Sequence, residues 1–216
     1  MEIKDIMGHV DHTVLSPTAT WNDIEQCVDD AAKYGCATAM VPPCFVDQAY
    51  AYAEGRVPIA TVIGFPHGNS TMQAKAAEAA DAVDNGASEI DMVANLSWIK
   101  EGRWKGVAAD IRVVKEAIGE VPLKVIIEAC LLTDEEKARM CSVCTDAGAD
   151  WIKTSTGFSS GGATFEDVKL LCDNAPAGLQ VKAAGGISSI EDAERFIALG
   201  ATRLGTSKLV KIVKGL

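Results

Sequence analysis

Residues 85–93, with the sequence NGASEIDMV, hold the pattern that decides the fold. The glycine follows an amphipathic helical stretch, and a short apolar run comes after it. Glycine at such a point typically adopts the left-handed conformation that ends a helix. We therefore predict that a helix ends at Gly86 and that a strand follows it. The same pattern recurs at three other places, around Gly35, Gly148 and Gly200.

Four further apolar runs lie between these repeats, at residues 9–15, 57–65, 123–129 and 179–184. Together with the runs after the glycines they give eight strand candidates. The predicted helices between them start at Thr20, at Ser70, at Thr133 with Glu136 as a capping box, and at Ser188 with Glu191. Nearly continuous apolar strands that alternate with helices indicate a parallel sheet covered by helices. The pattern predicts one (β/α)8 barrel domain over residues 1–216, with a doubly wound open sheet as the alternative.

The charge balance excludes several classes of partner. The chain has 20 basic and 30 acidic residues, a net charge of −10. An acidic protein lacks the positive field that attracts nucleic acid. No run of about 18 apolar residues suggests a membrane span, and the start lacks the apolar core of a signal peptide. The 7 cysteines are scattered in apolar segments. We therefore expect reduced thiols and a cytoplasmic protein, with no nucleic-acid or membrane partner.

Charged residues inside apolar strands are the main functional signal. Asp91, Glu128, Lys153 and Lys182 each lie in such a run. Burying one of them unpaired would cost several kcal/mol, so they either pair with one another or serve a purpose. Lys153 and Lys182 fall on consecutive strands, which lie about 4.8 Å apart in a sheet. Two amines held so close and partly desolvated favour a neutral, nucleophilic form of one of them, as Schiff-base chemistry requires. Asp91 is then a candidate for keeping the second lysine protonated and for passing protons.

Two loops have the composition of an anion site. AAGGISS, residues 183–189, follows the seventh strand, and LGTSK, residues 204–208, follows the eighth. Barrels commonly bind phosphate there, through backbone N–H groups that glycine leaves accessible and a helix N-terminus. Neither a P-loop nor a dinucleotide-binding glycine motif occurs, so no nucleotide cofactor is expected.

Two possible metal sites are less favoured. His9 and His12 flank Asp11, but no third histidine is well placed, and hydrogen-bonding roles are preferred for them. Cys141 and Cys144 form a Cys-x-x-Cys inside a helical segment without a second pair, which favours buried thiols over zinc.

Taken together, these segments resemble the deoxyribose-phosphate aldolases, class I aldolases on a (β/α)8 barrel. The resemblance covers nearly the whole chain. It is carried by VDHTVLSPTAT, IATVIGFPHGN, SEIDMVANL, LKVIIEACLLT, GADWIKTSTGF, VKAAGGI and GATRLGTS, in that order.

The resemblance implies roles for particular residues. Lys153 would form the Schiff base, and Lys182 and Asp91 would donate and accept protons. Phosphate would be held by Gly185, Gly186, Gly205 and Ser207, with Thr156 nearby. The implied reaction is the reversible cleavage of 2-deoxy-D-ribose 5-phosphate to acetaldehyde and D-glyceraldehyde 3-phosphate, in deoxynucleoside catabolism. It needs no metal or organic cofactor, and the family suggests a homodimer or homotetramer.

The chain also departs from the family pattern. AMVPP, residues 39–43, replaces a motif that commonly contains asparagine, and Ser16, Ala129 and Ala184 replace the usual lysine, threonine and serine. The chain ends at VKGL without a longer, tyrosine-bearing tail. Two alternatives stay open: a Schiff-base aldolase of the same fold for another phosphorylated sugar, distinguished by the pocket near residues 40–44, and a non-catalytic barrel that binds a sugar phosphate.

Overall fold

The computed structural model describes residues 1–215 and contains eight parallel strands closed into a barrel. The strands are β1 Val10–Thr13, β2 Thr38–Val41, β3 Ile59–Ile63, β4 Glu89–Val93, β5 Leu123–Ile126, β6 Trp151–Lys153, β7 Gln180–Ala184 and β8 Arg203–Thr206. Each strand pairs with its neighbours in chain order, and β8 pairs back with β1. The predicted (β/α)8 barrel is thus confirmed, and the open sheet is wrong because all eight strands found in residues 1–215 pair on both sides.

Helices surround the barrel. In the described part of the chain they are α1 Ile3–Met7, α2 Trp21–Tyr34, α3 Val46–Ala53, α4 Met72–Asp84, α5 Leu96–Lys100, α6 Trp104–Ile118, α7 Asp134–Asp146, α8 Phe165–Asn174, α9 Ile190–Ala198 and α10 Leu209–Lys214. Two short 3₁₀ turns, Pro43–Phe45 and Ala129–Leu131, follow β2 and β5. The main apolar core lies between the helices and the outer face of the barrel, and most of the buried hydrophobic side chains belong to it.

The helix ends agree with most of the sequence predictions. Gly35, Gly86, Gly148 and Gly200 all have positive φ angles, as a left-handed helix end requires. Thr20 is the N-cap residue of α2, and Thr133 forms the predicted capping box with Glu136. Two predicted starts are one residue early. Thr71, rather than Ser70, caps α4, and Ser189, rather than Ser188, caps α9, because their side chains reach the backbone N–H three residues ahead.

The strands are shorter than the apolar runs that predicted them. β1 occupies 10–13 of the run 9–15, β3 occupies 59–63 of 57–65, β5 occupies 123–126 of 123–129, and β7 omits only Leu179. Residues left over at the carboxyl ends of β1, β3 and β5 enter the loops at the mouth of the barrel. Leu216, the last residue of the predicted domain and of the VKGL end, lies outside the described residues. Within residues 1–215, no helix combines the length and apolar character that a membrane crossing needs.

Candidate active site

The three charged residues predicted to act together do meet inside the barrel. Lys153 ends β6 and is in register with Lys182 on β7. Both amines donate to the same carboxylate oxygen, Asp91 Oδ2, each with an Nζ–O distance of 2.7 Å. Asp91 and Lys182 are fully buried, and Lys153 is 4% exposed. One oxygen atom of β4 thus bridges the two lysines.

A larger ionic network surrounds this trio. Lys124 on β5 donates to Asp91 Oδ1 over 2.8 Å and lies 2.6 Å from Glu89 Oε2. Lys182 also donates to Asp11 on β1. Arg203 on β8 joins Asp11 to Glu89, with 2.6 Å from Nη1 to Asp11 Oδ1 and 2.7 Å from Nη1 to Glu89 Oε2. The inner face of the barrel therefore carries one continuous set of ion pairs, which the (β/α)8 geometry brings together from strands far apart in sequence.

The charges of this network do not balance when every group is ionised. Three carboxylates, those of Asp11, Glu89 and Asp91, face four cations, those of Lys124, Lys153, Lys182 and Arg203. Buried charge without a partner is expensive, so the network favours the loss of one proton. Lys153 is the cation with the fewest carboxylate partners, since within the described residues it pairs with Asp91 alone.

The electrostatics select the same amine. Burial lowers the pKa of Lys153 from the ordinary value of 10.5 to about 8, and it outweighs the opposing attraction of Asp91. Repulsion from Lys182 and Lys124 lowers this pKa further. The sequence prediction that a neighbouring lysine favours a neutral amine is right in direction, but burial is the larger cause. Near neutral pH a useful fraction of Lys153 is therefore neutral and nucleophilic.

Asp91 is held ionised. Burial alone would raise the pKa of its carboxyl, but Lys124, Lys153 and Lys182 outweigh burial and hold this pKa well below its usual range. Arg203 and Lys124 pair with the remaining carboxylates of the network, and their own pKa values are raised. Asp91 is therefore an ionised carboxylate near neutral pH.

A cavity of about 950 Å³ opens at the mouth of the barrel. Lys153 is the one member of the ionic network among its lining residues, so a ligand in the cavity meets this amine first. The cavity also extends along the loop after β1, residues 13–19, and past the loops that follow β6, β7 and β8. This is the carboxyl end of the strands, where (β/α)8 enzymes bind their substrates.

The predicted phosphate residues lie together on this cavity. Gly185, Gly186, Gly205 and Ser207 all line it. The backbone N–H groups of Gly186, Ile187 and Ser207 donate to no protein acceptor within residues 1–215. Gly185 and Gly186 have φ angles of 76° and 78°, which favour glycine. Gly205 lies in a tight place for a different reason, because an added Cβ would lie 3.0 Å from Cβ of Ala184 and 3.2 Å from Cε of Lys182.

Thr156 also lines the cavity, but its polar groups are engaged with Glu128 at the end of β5. The N–H of Thr156 and its hydroxyl both donate to the Glu128 carboxylate. Glu128 is 3% exposed and lies outside the ionic network of the barrel interior. The sequence pointed to Glu128 as a buried carboxylate without giving it a role.

The less favoured metal residues are used within the fold. Nδ1 of His9 lies 2.8 Å from the carbonyl oxygen of Thr202 and forms a hydrogen bond with it. Burial lowers the pKa of His12 to about 4, against the attraction of Asp30. Asp11, between them in sequence, belongs to the ionic network. Cys141 and Cys144 are buried as free thiols on α7.

The departures from the family pattern fall in different places. Ser16 and Ala184 line the cavity. Ala129 is buried at the start of a 3₁₀ turn. Met40 packs inside the barrel against Ala60 and Val62. The departure at the end of β2 therefore places Met40 in the apolar interior of the barrel. The replacements at Ser16 and Ala184 face the cavity directly.

Sequence reasoning missed four members of the ionic network: Asp11, Glu89, Lys124 and Arg203. Each is a charged residue in or at the start of an apolar strand, which is the signal that identified Asp91. The strand register strengthens this signal, because it places Lys124 next to Asp91 and Arg203 next to Lys182 on neighbouring strands.

Comparison with known proteins places this barrel in one class. The sequence profile described as DeoC/LacD family aldolase matches residues 6–208. A curated deoxyribose-phosphate aldolase of Streptococcus agalactiae is 55% identical over 214 residues, 99% of this chain and 96% of that protein. One of Streptococcus pyogenes is also 55% identical over the same shares of the two chains.

Solved structures agree with this result. A proposed deoxyribose-phosphate aldolase from Coccidioides immitis superposes with a TM-score of 0.95 at 43% identity, covering 100% of this chain and 87% of that one. The tetrameric deoxyribose phosphate aldolase from Aeropyrum pernix gives a TM-score of 0.88 at 35% identity, covering 98% and 91%. The protein is thus an aldolase barrel with a paired-lysine site. It belongs to the DeoC/LacD aldolase family.

Proposed function

We propose that this protein is a class I deoxyribose-phosphate aldolase, which reversibly cleaves 2-deoxy-D-ribose 5-phosphate to acetaldehyde and D-glyceraldehyde 3-phosphate in deoxynucleoside catabolism. The observation that carries the proposal is Lys153, a buried amine of lowered pKa at the cavity, bridged to Lys182 through one oxygen of Asp91. The 55% identity to curated deoxyribose-phosphate aldolases supports this choice of substrate over another phosphorylated sugar. A sugar-phosphate binder without activity would have no use for a buried pair of lysines in contact with one carboxylate.

The reaction starts at Lys153. Its neutral amine attacks the C1 aldehyde of the open-chain sugar, and loss of water gives a protonated imine. The C3 hydroxyl then loses its proton, and the C2–C3 bond breaks as its electrons move into the imine. The products of this step are an enamine on Lys153 and free glyceraldehyde 3-phosphate. Protonation of the enamine at C2 and hydrolysis of the imine release acetaldehyde and restore the amine.

Asp91 and Lys182 are proposed to move the protons. Because Asp91 Oδ2 accepts hydrogen bonds from both amines, a proton can pass between the nitrogens through one oxygen. Lys182 also donates to Asp11, which holds it in place behind Lys153. Once Lys153 has become an imine, Asp91 and Lys182 are proposed to accept the proton of the C3 hydroxyl and to donate a proton to C2 of the enamine. We assign no metal or organic cofactor to this chemistry.

The phosphate group is proposed to lie in the loops after β7 and β8. Gly185, Gly186, Gly205 and Ser207 form this part of the cavity, with Thr156 nearby. The free N–H groups of Gly186 and Ser207 are suitable donors to phosphate oxygens. An anionic substrate is thus attracted locally, although the protein carries a net charge of −10.

Assembly, location and domain extent are part of the same proposal. We propose a homo-oligomer, dimer or tetramer, as the tetrameric relative from Aeropyrum pernix suggests. A cytoplasmic location fits an enzyme of intermediary metabolism with free cysteines, both buried and exposed. The whole chain, residues 1–216, is proposed to act as one aldolase domain.

Borohydride trapping tests the proposal. The protein is mixed with deoxyribose 5-phosphate or with acetaldehyde, reduced with sodium borohydride, digested and mapped by mass spectrometry. We expect a stable adduct on the peptide that contains Lys153 with either compound. The matched control is Lys75, an equally buried lysine that pairs with Asp110 outside the barrel and should stay unmodified. An adduct on another lysine, or none, would contradict the assigned nucleophile.

A further inference from the structure

The loop between β6 and α8 forms one wall of the cavity through residues 157–162, here called the β6–α8 loop. At its far end, the N–H of Ala163 lies 3.0 Å from the carbonyl oxygens of both Ala184 and Gly185. Gly162 packs so tightly on the same backbone that an added Cβ would lie 2.5 Å from the carbonyl carbon of Gly185. The far end of the loop is therefore fixed directly on the segment proposed to bind phosphate.

The near end of the loop is fixed by Glu128. Its carboxylate accepts the N–H of Thr156, over 3.2 Å, and the Thr156 hydroxyl. The hydroxyl oxygen in turn accepts the N–H of Phe158, over 3.0 Å. The ring of Phe158 packs edge to face on Phe65, with 5.3 Å between the ring centres. A single carboxylate on β5 thus organises the first residues of the loop.

Glu128 occupies this position at some cost. Its backbone has a φ of 48° and a ψ of 63°, in the left-handed region that is unfavourable for a residue with a Cβ. Its carboxylate is 3% exposed and forms no salt bridge within residues 1–215. A buried carboxylate without a cation normally persists only where its hydrogen bonds matter. Within residues 1–215, both hydrogen bonds that the Glu128 carboxylate accepts come from Thr156.

We infer that Glu128 is a positioning residue that holds the β6–α8 loop at the phosphate end of the cavity by way of Thr156. Both donors of Thr156 are directed to Glu128, so Thr156 serves the phosphate indirectly. The contacts to phosphate are then left to the unpaired N–H groups after β7 and β8, such as those of Gly186 and Ser207. This inference rests on the proposed function, because it concerns the phosphate of the proposed substrate.

Comparing the kinetics of a variant with two substrates distinguishes this role in phosphate binding from a general role in stability. Deoxyribose 5-phosphate and deoxyribose share the reacting carbons and differ in the phosphate. In Glu128→Gln, the side chain keeps its shape, but an NH2 group replaces one of the two carboxylate oxygens. This group cannot accept a hydrogen bond, so one of the two bonds from Thr156 is lost. We expect KM for deoxyribose 5-phosphate to rise about tenfold, while kcat and the KM for deoxyribose change less than about twofold. The inflection in the pH profile of kcat/KM should also stay where it is in the unaltered protein.

Glu128→Gly is the matched control for backbone strain, since glycine favours the left-handed conformation and removes the carboxylate. The same rise in KM in this variant assigns the effect to the carboxylate. Retention of the original KM in either variant would overturn the inference. An equal rise in KM for both substrates would also overturn the inference, because the effect would then not concern phosphate.

A double-mutant cycle tests the indirect role of Thr156. Thr156→Val should raise KM for the phosphorylated sugar about as much as Glu128→Gln does. In the double variant, KM should rise no further than in either single variant. Thr156→Ser keeps both donors and should retain the original KM, which provides a folded comparison if the valine variant is unstable. If the two increases in KM were additive in the double variant, Thr156 would contact phosphate itself and its indirect role would be wrong. Failure of the unaltered protein to cleave either sugar would instead contradict the proposed function.

Discussion

The interior of the barrel has two chemically different sides. On one side, β1 and β4 to β8 contribute seven charged side chains that form a continuous network. On the other, Met40 of β2 and Ala60 and Val62 of β3 pack with Leu15 and Phe65 in a small apolar cluster. The apolar side has no group that can exchange a proton or neutralise a charge. Burial lowers the pKa of Lys153 most, and the charged side adds the attraction of Asp91 and the repulsion of Lys182 and Lys124, whereas the apolar side contributes no charge.

Lys182→Leu should have the largest effect on activity. The substitution removes the second donor to Asp91 Oδ2 and so interrupts the proposed proton route, which we expect to lower kcat by roughly 10²- to 10⁴-fold. It also removes a positive charge that lowers the pKa of Lys153, so the inflection of the pH profile should move upward. Steady-state kinetics between pH 6 and 10 measure both changes.

Lys75→Leu is the control for this variant. Lys75 is as buried as Lys182, but it pairs with Asp110 and the carbonyl of Val93 outside the barrel interior. Breaking such a buried pair should cost about 3–5 kcal/mol of stability and leave the inflection unchanged. Normal turnover in Lys182→Leu would contradict the proposed proton route. An equal shift of the inflection in both variants would contradict the specific effect of Lys182 on the pKa of Lys153.

The unaltered protein should itself show a marked pH dependence. With a pKa of about 8, the neutral fraction of Lys153 rises from about 1% at pH 6 to about half at pH 8, so kcat/KM should increase about 50-fold over this range. The stability should also depend on this group. Because the folded pKa lies below the unfolded value, the unfolded chain binds more protons between about pH 8 and 10.5, and the contribution of Lys153 to stability rises with pH in that window. A profile flat from pH 6 to 8 would contradict a lowered pKa.

Lys124→Met tests whether the more distant part of the network also acts on Lys153. Lys124 lies opposite Lys153 on Asp91, donating to Oδ1 where Lys153 donates to Oδ2. Its loss leaves Asp91 and Glu89 less neutralised, so the pKa of Lys153 should rise. A rise of one unit would lower kcat/KM near neutral pH about tenfold. Raising the pH should restore activity in this variant more fully than in Lys182→Leu, which also lacks the proton route. Loss of activity that no pH restores would show that Lys124 acts in another way.

The sequence was sufficient for the fold and for the three residues at the centre of the candidate site. Strand and helix alternate so regularly that eight units could be counted, and Asp91, Lys153 and Lys182 stood out as charges in apolar strands. Lys124 and Arg203 gave the same signal, but their significance depends on the strand register, since only the closed barrel shows that they complete the pairing of Asp91 and Asp11. The helix caps at Thr71 and Ser189 were missed by one residue because two adjacent residues with hydroxyl side chains compete at each start.

Met40→Ala should have the smallest effect on activity, because it alters the apolar side. Met40 is fully buried against Ala60 and Val62, so the cavity left by the substitution should cost about 2–5 kcal/mol of stability. Met40→Leu nearly conserves the volume and should cost less than about 1.5 kcal/mol. In both variants kcat/KM below the unfolding temperature should change less than about threefold, and the inflection near pH 8 should be kept, because no charge next to Lys153 has changed. Thermal unfolding and pH profiles measure these quantities separately. A shifted inflection in Met40→Ala would mean that water entering the apolar side reaches the network and weakens the burial that lowers the pKa of Lys153.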